Sequence, residues 1–204
     1  MSQDFDSGAY WEHRYQKRRD SGDGSYGRLA VYKADFINDF VAAHQIFSVI
    51  EFGCGDGAQL DLARYPQYIG LDIAPAAVEA CQRSFAEDYT KCFICYDLLN
   101  GLPPQELALS LDVIFHLVED NIFEKYIRDL FAWATRYVII YSSNEDDPSP
   151  APHVRHRKFT RWIEQNVAGW RLIEREVNHY PHDMMRPQDT SFADFYIYEK
   201  EHRM

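Results

Sequence analysis

Apolar positions recur along the chain with two different periods, and the change of period divides it. From about Leu29 to Ala43, residues Leu29, Tyr32, Phe36, Ile37 and Phe40 fall three or four apart, which predicts an α-helix with one buried face. Before it no strand pattern is seen. Tyr10 to Tyr15 reads as a short helix, and Ser21 to Gly27 is rich in turn residues. Beyond it, short apolar runs alternate with amphipathic segments. Strands are predicted at Ile46 to Phe52, Tyr68 to Leu71, Lys91 to Tyr96, Leu107 to Leu111 and Tyr137 to Tyr141. Helices are predicted at Ala58 to Arg64, Pro75 to Glu87, Ile122 to Ala134 and Phe159 to Val167.

Strands this apolar, separated by helices, imply a parallel sheet covered on both faces, an α/β architecture. The ending departs from that rhythm. Trp170 to Val177 and Phe192 to Glu199 are two strands with no helix between them, so an antiparallel C-terminal hairpin is expected to close the sheet. No repeat or low-complexity tract interrupts the pattern, and Asn144 to Pro152 is its Pro/Asp-rich loop.

Composition narrows the classes. At 204 residues the chain is sized for a single domain. Its formal net charge of -11 opposes binding to phosphate backbones, so nucleic acid is not the expected partner. No uncharged apolar run approaches the roughly 20 residues of a bilayer span. The opening Met1-Ser-Gln-Asp-Phe-Asp6 is acidic where a secretory signal is basic and then apolar, so a cytoplasmic protein without a membrane partner is expected. The 4 cysteines are too few for a disulfide framework. Cys92 and Cys95 have metal-like spacing but sit in a predicted strand, where positions three apart face opposite ways, so no metal is expected.

The chemistry gathers at strand ends. In open α/β sheets ligands bind outside the carboxyl ends of the strands, where strand order reverses. The first strand runs into Glu51-Phe-Gly-Cys-Gly-Asp-Gly57, whose Gly53, Gly55 and Gly57 let the backbone turn and approach a ligand beside Cys54. A helix starting near Ala58 would add free N–H groups. Asp72 ends the second strand and is placed to accept from ribose hydroxyls. Asp97 follows the third and could accept from an adenine amino group, with Ile73 and Leu98 flanking the ring.

These residues carry a resemblance. Val49 to Gly57 resembles the first motif of the class I methyltransferases, Tyr68 to Asp72 their second-strand motif, and Ser110 to His116 the end of their fourth strand. The likeness covers roughly residues 46 to 200. It implies a Rossmann-like three-layer sandwich with a seven-stranded, mostly parallel sheet, and S-adenosylmethionine as cofactor with S-adenosylhomocysteine as product. Glu51, Gly53, Gly55, Asp72 and Asp97 match position by position. Residues 1–45 become an N-terminal helical lid on a core of 46–200, and its aromatic and glycine-rich segments are similar to those of bacterial members associated with surface-sugar or secondary-metabolite pathways.

Methyl transfer is an in-line displacement, so the protein must align the groups and remove a proton from a hydroxyl acceptor. His116, at the fourth strand's carboxyl end, is the candidate base, with Asp112 to orient it or touch the cofactor. His153, Arg155, His156 and Arg157 concentrate cationic and protonatable groups just past the fifth strand, which suits an anionic acceptor. Tyr26 and Lys33 are further acceptor candidates from the lid; Trp11 would exclude water, and Arg28 or Arg14 would hold the methionine carboxylate. The expected acceptor is a small polar metabolite, O-methylated on a sugar or relative, with N-methylation of a small amine as the alternative. A homodimer stays open. Two other classes remain in view, a nicotinamide-dependent oxidoreductase and a noncatalytic binding module. The first wants Gly-x-Gly-x-x-Gly, and position 58 is Ala.

Overall fold

The computed structural model describes residues 5–17, 20–147, 149 and 151–201. Met1 to Asp4 of the acidic opening, and Pro148 and Pro150 of the Pro/Asp-rich loop, lie outside them. Five helices are found among the described residues, α1 (Ser7–Gln16), α2 (Gly27–Ala43), α3 (Pro75–Ser84), α4 (Asp120–Ala132) and α5 (Phe159–Asn166). The strands are β1 (Ser48–Phe52), β2 (Gln67–Asp72), β3 (Lys91–Cys95), β4 (Gln105–Leu111), β5 (Ala134–Ser142), β6 (Trp170–Glu176) and β7 (Asp194–Lys200). They form one 7-stranded sheet in the order β3-β2-β1-β4-β5-β7-β6. β1 to β5 are parallel, and β7 is antiparallel to both β5 and β6.

Alternation along the strands builds two cores. Val49, Leu107, Leu109, Ile139 and Phe195 face Ile37, Phe40 and Val41 of α2. Their neighbours Ile50, Ala108, Val138, Ile140 and Tyr196 face the other way, onto Phe123, Ile127 and Leu130 of α4 and Phe159 and Ile163 of α5. Burial on both sides explains why the strands read as unbroken apolar runs. No helix of the described residues is long and apolar enough to cross a membrane.

One expected helix is missing. Between β1 and β2 the segment expected to be helical over 58–64 contains a single 3₁₀ turn at Leu60–Leu62. Asn38 of α2 takes the backbone groups a helix would have used. Its Nδ2 donates to the Leu62 carbonyl at 3.0 Å, and its Oδ1 accepts from the Arg64 amide at 2.7 Å. Gln59 likewise donates through Nε2 to the Ala30 carbonyl of α2 at 3.0 Å. The glycine loop therefore has no helix N-terminus behind it, and any backbone donors it offers are those of the loop itself.

Candidate functional site

The carboxyl ends of β1, β2 and β4 open onto a cavity of about 390 Å³, and α1 lies across it, contributing Trp11 and Tyr15 to its wall. Its floor is the glycine loop. The Gly53 and Cys54 amides both donate to the Leu71 carbonyl, at 2.7 and 2.9 Å, which folds the loop back over β2. Gly53 has φ of +88°, and a Cβ there would stand 2.5 Å from Cγ2 of Val113. Left-handed backbone and a clash with a β-branched neighbour add up to roughly 3 kcal/mol for an added methyl. Gly53→Ala is accordingly expected to lower the thermal midpoint by roughly 6–12 °C in a chain of this size, as read by calorimetry.

Two buried carboxyls border the loop. Asp72 accepts from the Gly55 amide through Oδ2 and from the Ala74 amide through Oδ1, both at 2.9 Å, so it shapes the loop while lining the cavity. Burial pushes its carboxyl up to about 6, against the pull of those amides. Glu51 accepts from the Tyr68 hydroxyl at 2.7 Å, and burial pushes it up to about 7. A carboxyl raised in this way holds a proton in the folded protein that the unfolded chain has already lost. Its stability contribution is present below its ordinary value and disappears as pH rises through the raised one. The ligand-free protein should lose thermal stability between about pH 4.5 and about pH 7 on account of Glu51, and Glu51→Gln should flatten that decline. A decline of equal slope in the variant would assign it to other groups.

At the end of β4 the backbone is strained. Asp112 has φ of 60°, unusual for a residue with a side chain, while its amide donates to the Tyr141 carbonyl at 2.9 Å. Its Oδ2 receives the ammonium of Lys33 at 2.6 Å, and Lys33 is buried, 1 % exposed. Both groups line the cavity. His116 lines it as well, packed edge-on to Trp11 at 4.8 Å and stacked on His153 at 5.6 Å. Its Nδ1 lies 2.9 Å from the His153 carbonyl, which can only accept, so Nδ1 carries the proton and Nε2 keeps a lone pair. Burial lowers the imidazole to about 4, outweighing that hydrogen bond.

The remaining candidates divide. Cys54, Ile73, Asp97 and Trp11 line the cavity, whereas Leu98 is 65 % exposed and outside its wall. Arg28 points away, donating to the Asp189 carbonyl at 2.7 Å with its guanidinium over the Tyr180 ring. Tyr26 is not in the wall; its hydroxyl donates to Asp56 at 2.5 Å.

The 153–158 cluster does not reach the cavity wall either. Arg155 and Arg157 both pair with Asp120 at 3.0 Å and donate to the Val118 carbonyl, and Arg157 also donates to that of Leu117. His156 meets the Ser143 hydroxyl at 2.7 Å, and His153 stacks on Tyr10 at 5.0 Å. Arg155 and Arg157 thereby clamp the segment that follows His116. No group of three or more His, Cys, Asp or Glu suited to a metal occurs among the described residues.

A clasp and two further polar side chains, not apparent from the sequence, complete the site. Ser21 donates its amide to Asp56 at 3.0 Å and accepts the Asp56 amide at 3.0 Å, and its hydroxyl lies 3.1 Å from that of Tyr15. The segment after α1 is thereby fastened to the glycine loop, and a Cβ at Gly55 would run into Ser21 and Tyr15. Gln59 and Glu119 also line the cavity, each with one buried, unpartnered oxygen. Polar residues within a glycine-rich floor and at a helix start were the available signals.

No family model matches this sequence, and no curated protein matches it. Solved structures do. Magnesium protoporphyrin IX methyltransferase (ChlM) from Synechocystis PCC 6803, with bound SAH, superposes with a TM-score of 0.68 at 16 % identity, over 95 % of this chain and 97 % of that one. The N-methyltransferase NodS from Bradyrhizobium japonicum WM9, in complex with S-adenosyl-L-homocysteine, gives 0.72 at 13 % identity over 97 % and 100 %. The small RNA methyltransferase HEN1 gives 0.64 at 14 % identity, over 88 % of this chain but 26 % of its own. At such identities the likeness is one of fold. The chain has the seven-stranded, Rossmann-like fold of the class I S-adenosylmethionine-dependent methyltransferases. The antiparallel β7 between β5 and β6 sets it apart from the dinucleotide-binding order 3-2-1-4-5-6.

Proposed function

We propose that this protein is a methyltransferase that binds S-adenosylmethionine in the cavity beside the glycine loop and methylates a hydroxyl of a small polar metabolite, a sugar or a relative of one. The cavity's donor and acceptor chemistry fits that cofactor. Asp72 has lone pairs left for ribose hydroxyls after bonding two amides. Glu51 and Gln59 are on the same wall, and their oxygens are the acceptors there for the methionine ammonium. Bound there, the cofactor supplies an electrophilic methyl group on a sulfonium.

The observation that carries the hydroxyl acceptor is His116, an imidazole lowered to about 4 and fixed as the Nδ1–H tautomer at the cavity wall. It is neutral across the working range, so its Nε2 is free to take the proton a hydroxyl must lose. The Lys33 and Asp112 pair offers a donor and an acceptor side by side, which suits a polyhydroxylated molecule. Arg155 and Arg157 lie outside this cavity's wall, paired with Asp120 and backbone carbonyls, so they add no charge for an anionic acceptor there.

Calorimetry with S-adenosylhomocysteine and with NAD is the first test. Binding of S-adenosylhomocysteine alone is expected, and binding of NAD alone would overturn the reading. Transfer of labelled methyl from S-adenosylmethionine to panels of sugars, amines and carboxylic acids then identifies the acceptor. Product confined to the amines would replace O-methylation by N-methylation.

A further inference from the structure

One residue touches His116 in two ways. The main-chain carbonyl of His153 accepts from its Nδ1 at 2.9 Å, and the imidazole of His153 stacks on its ring, with 5.6 Å between centroids and 16° between planes. The His153 ring also stacks on Tyr10 of α1, at 5.0 Å and 13°. Three nearly parallel rings therefore lead from the covering helix to the candidate base, with His153 joining the other two. Trp11, next to Tyr10 on α1, meets His116 edge-on at 4.8 Å. His153 itself is half-buried and outside the cavity wall, so it acts on a ligand there only through His116.

The backbone that carries His153 is fixed without help from its side chain. The Arg155 amide donates to the Phe115 carbonyl at 2.7 Å, and the Val154 amide to that of Ala151 at 3.0 Å. The Arg155 and Arg157 side chains hold the carbonyls of Leu117 and Val118. A substitution at 153 thus removes the ring and leaves the carbonyl that sets the tautomer of His116.

We propose that His153 is a positioning residue for His116: its imidazole, held by Tyr10, keeps the ring of the base in place and shields it from water, so that the covering helix and the base are set together. The assignment rests on the reading of His116 as the base. Burial is the main reason that imidazole lies near 4, and part of the burial is the His153 ring. Among the charged groups around it, His153 when protonated and Arg14 of α1 oppose a proton there, while Asp112, paired with Lys33 of α2, favours one. Arg155 and Arg157 on the neighbouring segment are paired with Asp120. His153→Ala lifts both the shield and the charge. His153→Phe lifts the charge alone, because a ring still covers His116.

The experiment follows the ring nitrogens of His116 by nuclear magnetic resonance in the ligand-free full chain, so it needs neither cofactor nor acceptor. From about pH 7 to about pH 5 the unaltered protein should keep the neutral Nδ1–H form, with only about a tenth protonated at the lower end. In His153→Ala the proton affinity should rise at least about tenfold, so that half or more is protonated there. His153→Phe should return it to within about threefold of the unaltered protein. Tyr10→Ala, which frees the His153 ring and leaves the 153–157 segment intact, should move His116 the same way as His153→Ala and serves if that variant does not fold. A His116 that stays neutral at pH 5 in both alanine variants overturns the proposal. So does a phenylalanine variant that titrates like the alanine one, which would assign the effect to charge. Failure of the unaltered protein to bind S-adenosylhomocysteine is a separate result; it removes the reading of His116 as the base, and this assignment with it.

Discussion

Asp72→Asn is expected to weaken S-adenosylhomocysteine binding by roughly 100-fold, the effect of losing about 3 kcal/mol. Hydrogen bonds to a charged acceptor contribute about 1.5–3 kcal/mol each, and a ribose presents two hydroxyls to this carboxylate. The amide must also turn its NH₂ toward either Gly55 N or Ala74 N, where the carboxylate accepts from both. A donor facing a donor loosens the loop that forms the cavity floor, so the thermal midpoint should fall as well. The raised value near 6 adds a pH signature. Below about pH 6 the native carboxyl is protonated and loses its charge, so binding to the unaltered protein should weaken there, and the variant should lack that limb. Calorimetric titration at pH values on both sides of 6 separates the outcomes. An affinity within about threefold of the unaltered protein would remove Asp72 from ribose binding, since a single lost charged hydrogen bond already exceeds that.

The sheet was readable because β1, β4 and β5 are buried on both faces, which writes an apolar run into each. The hairpin at the end was readable because nothing helical separates its strands. Where the reading failed, the deciding group was remote in sequence. The 58–64 segment is amphipathic enough for a helix, yet Asn38, 24 residues before Leu62, claims its backbone. Local pattern carries no trace of that claim.

The site follows the same rule. Asp72, Gly53 and Glu51 lie on strand ends, and strand ends are fixed once the strands are, so their arrival at one cavity was foreseeable. Arg155 and Arg157 looked free because Asp120, which pairs with both, lies 35 and 37 residues away. Arg28 is diverted by Asp189, 161 residues on. A cation in sequence is a candidate for a ligand only until the fold supplies its partner, and charge density alone cannot rank the two. The Ser21 and Asp56 clasp was missed for the same reason, its halves being 35 residues apart.

His116→Gln is expected to reduce kcat by on the order of 10²–10⁴ while leaving S-adenosylhomocysteine affinity within about threefold, the range that general-base removal produces. Glutamine can donate to the His153 carbonyl in place of Nδ1–H, so the loop held by Arg155 and Arg157 should keep its form. It cannot take a proton. Because burial lowers the imidazole from 6.5 to about 4, it is already neutral near pH 5 and stays so above. The unaltered protein should therefore show no acid limb from this group between about pH 5 and about pH 8, where an ordinary histidine base would give one near 6.5. The same shift affects stability: between about 6.5 and about 4 the unfolded chain binds a proton that the folded one refuses, so acid removes stability there on account of His116, and the glutamine variant should lose less. A kcat reduced less than tenfold would take His116 out of proton transfer and favour an acceptor that reaches the site already ionised, since a carboxylate needs no base.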